Sequence, residues 1–307
     1  MKGAARCFFD RWVGAVLLTP SLALLALVAI VPFVYAVALG FTDLNYAMPG
    51  RGGNFIGLDN YRRLLGDDPV VWRSALTTLK FVAAAVSLEF VLGFAVALLL
   101  YTHVVRRRLA LTLVLIPMML APVAVGLLWK LMLQGDYGMA TYYLNKLGVL
   151  GEQSAVLGDP AMALSTIVVI DIWQWTPFVT LVMLAGLLSL PREPFEAAIM
   201  DGAGRVRLFF DVTVPLLRPI IGLVLLLRGI DAFKEFDKVF ILTGGGPGNA
   251  TELLSIYIYR LAFRDWDLGY AAVCGFMVYV VVWILCTAFH AVMTRQSRVR
   301  AYAGGKP

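Results

Sequence analysis

The sequence predicts an all-α, polytopic membrane protein with six transmembrane helices, and three observations carry that expectation. Of 307 residues, 60% are hydrophobic and only 15% charged, with a mean hydropathy of +0.81, which lies outside the soluble globular range. The apolar residues gather into six segments, each long enough to cross a hydrocarbon core of roughly 30 Å. The basic residues behind the net charge of +6 sit at the ends of those segments, where they mark topology rather than a nucleic-acid surface. Cys7, Cys274 and Cys286 lack metal-ligand spacing and give no disulfide framework.

The first expected span, 13–41, is too long for the apolar part of a cleaved signal peptide. Pro20 and Pro32 within it imply kinks, which membrane helices tolerate when neighbours satisfy the freed carbonyls. The others are expected at 76–101, 109–133, 161–188, 220–242 and 270–293, forming a single transmembrane domain over 1–307. Six crossings place both termini on one side. That side holds fourteen basic residues, among them Lys2, Arg106, Arg107, Arg108, Arg205 and Arg298, against seven on the other. The positive-inside rule therefore assigns the termini to the cytoplasm.

Residues 190–219, between the fourth and fifth spans, form a polar island on the same side. Pro191 and Pro194 stop the preceding helix, and Pro194 suits the first position of a new one. Glu193 and Glu196 would meet the positive end of its dipole. Phe195, Ala198, Ile199 and Gly202 follow at i, i+3, i+4 and i+7, on one face. Gly202 and Gly204 permit a sharp turn, and a second short helix is expected over 205–214, ending before Pro215. A small-residue amphipathic helix between two spans suits docking to another protein.

Glu196-Ala197-Ala198, Asp201-Gly202-Ala203, Pro215-Leu216 and Pro219 resemble the EAA loop of ATP-binding-cassette importer permeases. IGLDNY at 56–61 and LTGGGPG at 242–248 resemble further segments of that family's carbohydrate-uptake branch. The resemblance implies the type I importer permease fold, with Phe195, Glu196, Ala197, Ala198, Ile199, Asp201, Gly202 and Ala203 in a coupling helix that seats on an ATP-hydrolysing subunit. It also implies the partners: a second, homologous permease, two ATP-binding subunits and an extracytoplasmic solute-binding protein, with lipid around the spans. The membrane implied is the cytoplasmic (inner) membrane of a bacterium or archaeon.

No catalytic or metal-binding constellation is visible, and His103 and His290 stand alone near cytoplasmic ends. The glycine run at 244–248 has no Lys-Ser/Thr after it and no strand before it, so it is no phosphate cradle. The chain is thus expected to carry no cofactor, and ATP with Mg²⁺ would be bound by the partner subunits.

Ionisable residues inside spans are costly and mark pathways or pairs. In the fourth span Asp171, Gln174 and Trp175 share a face, with Trp173 beside them. A carboxylate, an amide and a ring suit a polyhydroxylated solute, and they equally suit hydrogen bonding to a neighbouring helix. In the fifth span Arg228, Asp231, Lys234, Glu235, Asp237 and Lys238 interrupt the outer half. So much charge must line water, pair within the bundle or break the helix. Asp231, Phe233, Lys234 and Glu235 are the path candidates there, with a structural ion-pair network as the other reading. Glu89 and Lys130 stand as single charges. The function implied is import of a sugar, polyol or related carbohydrate by alternating access. An amine or anion importer is the first alternative, and an ATP-independent carrier, which would carry an internal inverted repeat, the second.

Overall fold

The computed structural model describes residues 2–50, 52–102, 107–148 and 156–303. Helices dominate, and the only β pairing among the described residues is two isolated bridges, Thr42 with Phe55 and Asn45 with Asp267. The chain divides into two compact units, Met1–Pro69 with Ile258–Tyr279, and Val70–Tyr257 with Val280–Pro307.

In the first unit, helix α1 spans Lys2–Leu39 and keeps Pro20 and Pro32 inside it. Its side chains Leu22, Leu25 and Val28 are exposed, as lipid-facing residues are. The chain then turns through a polar knot. The Asn60 amide donates to the carbonyls of Gly40 and Thr42, groups freed where α1 ends. Asn60 lies in the short helix α2, Asp59–Arg62, which continues as a wider π turn over Arg63–Asp67. The fully buried Tyr270 donates its hydroxyl proton to Asp68. Arg63 covers the Tyr270 ring at 3.8 Å and pairs with Asp267 at 2.8 Å.

The second unit contains α3 (Pro69–Thr102, from Val70), α4 (Arg107–Leu115), α5 (Pro122–Met132) and α6 (Met139–Lys146). It continues with α7 (Ala163–Leu188), α8 (Glu193–Met200), α9 (Arg205–Arg207), α10 (Val214–Phe233) and α11 (Asp237–Leu242). Helices α12 (Leu254–Phe263) and α13 (Leu268–Ala303) pass between the two units. Close approach of α3 to α7 is permitted by Gly93, where a Cβ would sit 2.6 Å from the Val179 Cβ. Gly186 does the same for α7 and α10, since its Cβ would meet Ile220 at 2.8 Å. Small residues at such contacts are how helices pack without a solvent-driven force.

Among the described residues, five helical stretches are long and apolar enough to cross a membrane: Leu17–Leu39, Pro69–Thr102, Ala163–Leu188, Arg205–Leu242 and Leu268–Phe289. Two expectations need correction, and an alternative left open for the fifth span is decided. The third span, expected unbroken over 109–133, is divided into α4 and α5 by an irregular turn. Pro117 and Pro122 remove two backbone donors there, and Pro122 opens α5 instead of continuing α4. The fifth span, placed at 220–242 with a break among the readings of its charges, stops at Phe233 and resumes at Asp237. Conversely, the chain does not stop before Pro215. It runs from α9 through a π turn, Leu208–Thr213, straight into α10, because a proline in the first turn of a helix costs no hydrogen bond.

Candidate functional site

Two apolar clusters fill the second unit, and a charged layer separates them along three helices. On α3, Phe81 and Ala85 belong to one cluster and Phe94 and Ala97 to the other, with Glu89 between. On α7, Ile167 and Ile170 precede Asp171 and Gln174, and Val179 and Met183 follow. On α10, Leu217 and Val224 precede Arg228, and Ala232 follows. One charged residue per helix, Glu89, Asp171 and Arg228, is thus enclosed on either side by hydrocarbon.

Arg228 is the hub. Its guanidinium grips Glu89 with two hydrogen bonds of 2.6 and 2.8 Å. It also donates to Asp171 at 2.9 Å and Asp231 at 2.8 Å, and its carbon lies 4.9 Å from the centre of the Trp175 ring. Lys238, fully buried, donates to Asp171, to Gln174 at 3.1 Å and to Glu235 at 2.9 Å. Asp171 therefore bridges the two cations. A fork of donors matched to carboxylates is the arrangement that makes a buried arginine tolerable. Removing Arg228 leaves the buried Glu89 carboxylate without the cation it faces.

The same layer stitches the helix breaks. The Gln174 amide donates to the Leu120 carbonyl at 3.1 Å, a group left free between α4 and α5. Lys130 on α5 donates to the Ile241 carbonyl at 2.7 Å in the last turn of α11. Ser255 donates to the Glu235 carbonyl where α10 has ended. Gly126 lets α5 and α11 approach, its Cβ position being 3.2 Å from Ile241. Irregular backbone at membrane depth is stable only where protein or enclosed water satisfies it, and these three side chains do so.

Between the breaks lies an open cavity of about 230 Å³, lined by Pro122, Trp175, Asp231, Lys234, Glu235 and Asp237, with Phe236 beside them. Of the sequence-predicted residues, Trp175, Asp231, Lys234 and Glu235 thus meet at one place. Asp171 and Gln174 stand behind that lining, fully buried. Two candidates lie elsewhere: Phe233 is in the core, and Trp173 packs edge-on against Trp129 at 5.7 Å. Sequence reading missed Glu89 as the partner of Arg228, and Asp237 and Pro122 as lining residues. The signal for the first was present only in part, since a carboxylate inside an apolar span needs a cation to face it.

The coupling-loop candidates form a separate, exposed feature. Helix α8 begins at Glu193, one residue before the expected start, so Pro194 takes its second position. It ends in a paired cap: Gly202, at φ 78°, donates to Ile199, and Ala203 donates to Ala198. Gly204 is extended and supplies no left-handed turn. Phe195 and Ala198 turn partly inward, Glu196, Ala197, Asp201 and Gly202 outward. Ile199 is 58% exposed and Met200 86%, so the apolar tip is Ile199 with Met200, shifted one residue from the expected stripe. His103 lies outside the described residues, and His290 falls in α13.

Residues 89–299 match the family described as binding-protein-dependent transport system inner membrane component. The chain belongs to that family. A trehalose/maltose transport system permease of Thermococcus litoralis is 38% identical over 248 residues, covering 80% of this chain and 81% of that protein. A sulfoquinovosyl glycerol transport system permease of Agrobacterium fabrum is 34% identical, covering 95% and 92%. Among solved structures, the bacterial alginate transporter in complex with its alginate-bound periplasmic protein has a chain that superimposes with a TM-score of 0.79 at 21% identity, covering 94% of this chain and 96% of that one. The family match opens at Glu89 and encloses the charged layer, the cavity and the exposed loop of this inner membrane component.

Proposed function

We propose that this chain is one of two permease subunits of an ATP-driven importer for a sugar, polyol or related carbohydrate. The observation that carries the reading is the family match over 89–299, which takes in both α8 and the cavity. The carbohydrate class is supported by relatives named for trehalose/maltose and sulfoquinovosyl glycerol. In this reading the ATP-hydrolysing sites belong to two partner subunits, and this chain binds neither ATP nor Mg²⁺. An extracytoplasmic binding protein delivers the solute, and both termini and α8 face the cytoplasm. The whole chain acts as a single transmembrane domain.

The residues suggest how motion reaches the solute. Ile199 and Met200 are the apolar anchor that α8 offers to an ATP-binding subunit, and Glu196 is the charge beside it. From α8, one arm leads back into α7, which carries Asp171, Gln174 and Trp175. The other leads through α9 into α10, a rod of about 30 Å that carries Arg228 and ends at the cavity. Phe195, Ala197, Ala198, Asp201, Gly202 and Ala203 give the coupling helix its shape. Asp231, Lys234, Glu235 and Trp175 face the solute, while Asp171 and Gln174 hold that lining in place. Switching a two-state assembly from 1:99 to 99:1 takes about 5.5 kcal/mol, so α8 must be gripped firmly.

Affinity purification of the detergent-solubilised chain, co-expressed with its genomic neighbours, tests the assembly. An ATP-binding subunit should co-purify, and Ile199→Asp with Met200→Asp should release it. Wild-type chain that purifies without any such subunit would overturn the proposal.

A further inference from the structure

The charge of the cavity lining is uneven in a way that bears on the solute. Three carboxylates, Asp231, Glu235 and Asp237, and one ammonium, Lys234, line it. Lys234 is itself 3.7 Å from Asp231. The two cations behind the lining are already held, Arg228 by Glu89, Asp171 and Asp231, and Lys238 by Asp171 and Glu235. Asp237 is exposed at the mouth and makes no ion pair among the described residues. Four of the five Arg228 N–H donors end on carboxylates of the protein, and Arg228 itself is not among the residues that line the cavity.

Acceptors outnumber donors in the lining. Carboxylates only accept hydrogen bonds, and the Lys234 ammonium is the charged donor among the lining residues. The Trp175 ring completes the lining, with its indole N–H buried and without a protein partner. A buried donor left in that state costs free energy until something accepts from it. An uncharged polyol fits such a lining, because its hydroxyls donate to the carboxylates and accept from the Lys234 ammonium. A phosphate, sulfonate or carboxylate group brings only acceptors and negative charge to a site that already has an excess of both.

Resting on the transport reading above, we propose that this cavity admits uncharged polyhydroxy solutes and rejects anionic ones, with Asp237 and Asp231 as the residues that impose the rejection. The selectivity belongs to the permease itself and adds to whatever a binding protein selects. One carboxylate several ångströms from an anion, in a partly wet site, is worth about a tenfold change in affinity.

The test is equilibrium binding to the purified, detergent-solubilised importer without its binding protein. The probes are radiolabelled neutral mono- and disaccharides, trehalose and maltose included, each beside its phosphate or uronate counterpart. Neutral members should bind about tenfold or more tightly than their anionic counterparts. Asp237→Asn, which changes an exposed side chain, should narrow that ratio several-fold, and Asp231→Asn with Asp237→Asn should narrow it further. Equal or tighter binding of the anions, an unchanged ratio in both variants, or no binding of any probe would overturn the inference. Uptake by the complete importer is measured in parallel. If uptake persists, only the cavity's selectivity is refuted; if uptake of every probe is absent, the transport reading falls as well.

Discussion

At the scale of single residues, Arg228 holds the most consequential position in the chain. It is 2% exposed and meets three carboxylates from three stretches of sequence. Taking two opposite charges out of water is expensive, so such a pair adds little net stability, but breaking it is severe. Arg228→Met is therefore expected to destabilise the folded chain by about 3–5 kcal/mol. Arg228→Lys should recover only part of that, since an ammonium cannot form the paired contact with Glu89. Thermal unfolding of the solubilised protein reads both, and a wild-type midpoint for Arg228→Met would refute the hub. The sequence made the presence of these charges legible, and even the i,i+3 contact between Arg228 and Asp231. It hid the contact between Glu89 and Arg228, 139 positions apart, because a lone charge announces the need for a partner without naming it.

At the scale of elements, two helices are broken at the height of the cavity, and their breaks are mended by Gln174 and Ser255, while Lys130 caps the far end of α11. Hydropathy averages over a window, so it read 109–133 as one apolar run and left a break in 220–242 as only one reading of its charges. The prolines at 117 and 122 and the charges at 234–238 were the local signals that outweighed it. The packing of α3 on α7 was not legible at all, since Gly93 is one glycine among 28 and only its neighbour Val179 gives it meaning. Gly93→Leu should cost about 1–3 kcal/mol through overpacking, or force the helices apart. A differential scanning measurement with an unchanged midpoint would contradict that contact. At α8, Glu196→Lys and Gly202→Asp are expected to abolish transport while membrane insertion and yield stay normal. Gly202 sits at φ 78°, where a side chain is strained. Wild-type uptake by either variant at equal expression would remove α8 from the coupling path.

At the scale of the whole molecule, the exposed loop joins the C-terminal end of α7 to the start of α10. The cavity meets α7 at Trp175, near its middle, and α10 at Asp231, near its far end. The chain leaves α7 at Leu188, forms α8, and re-enters through α9 and α10. Displacing α8 therefore moves the elements that carry Asp171, Gln174, Trp175, Arg228 and Asp231, with little else to deform on the way. This connection was legible from the order of segments and the distribution of basic residues. The cavity was not, because it depends on where two helices stop. ATP-loaded vesicles containing the complete importer give the most direct measurement. With its binding protein outside, labelled sugar should accumulate above the external concentration, and vesicles loaded with a non-hydrolysable analogue should show none. Equal accumulation in the two preparations would contradict the account, because it would mean that this chain moves its solute without an ATP-hydrolysing partner.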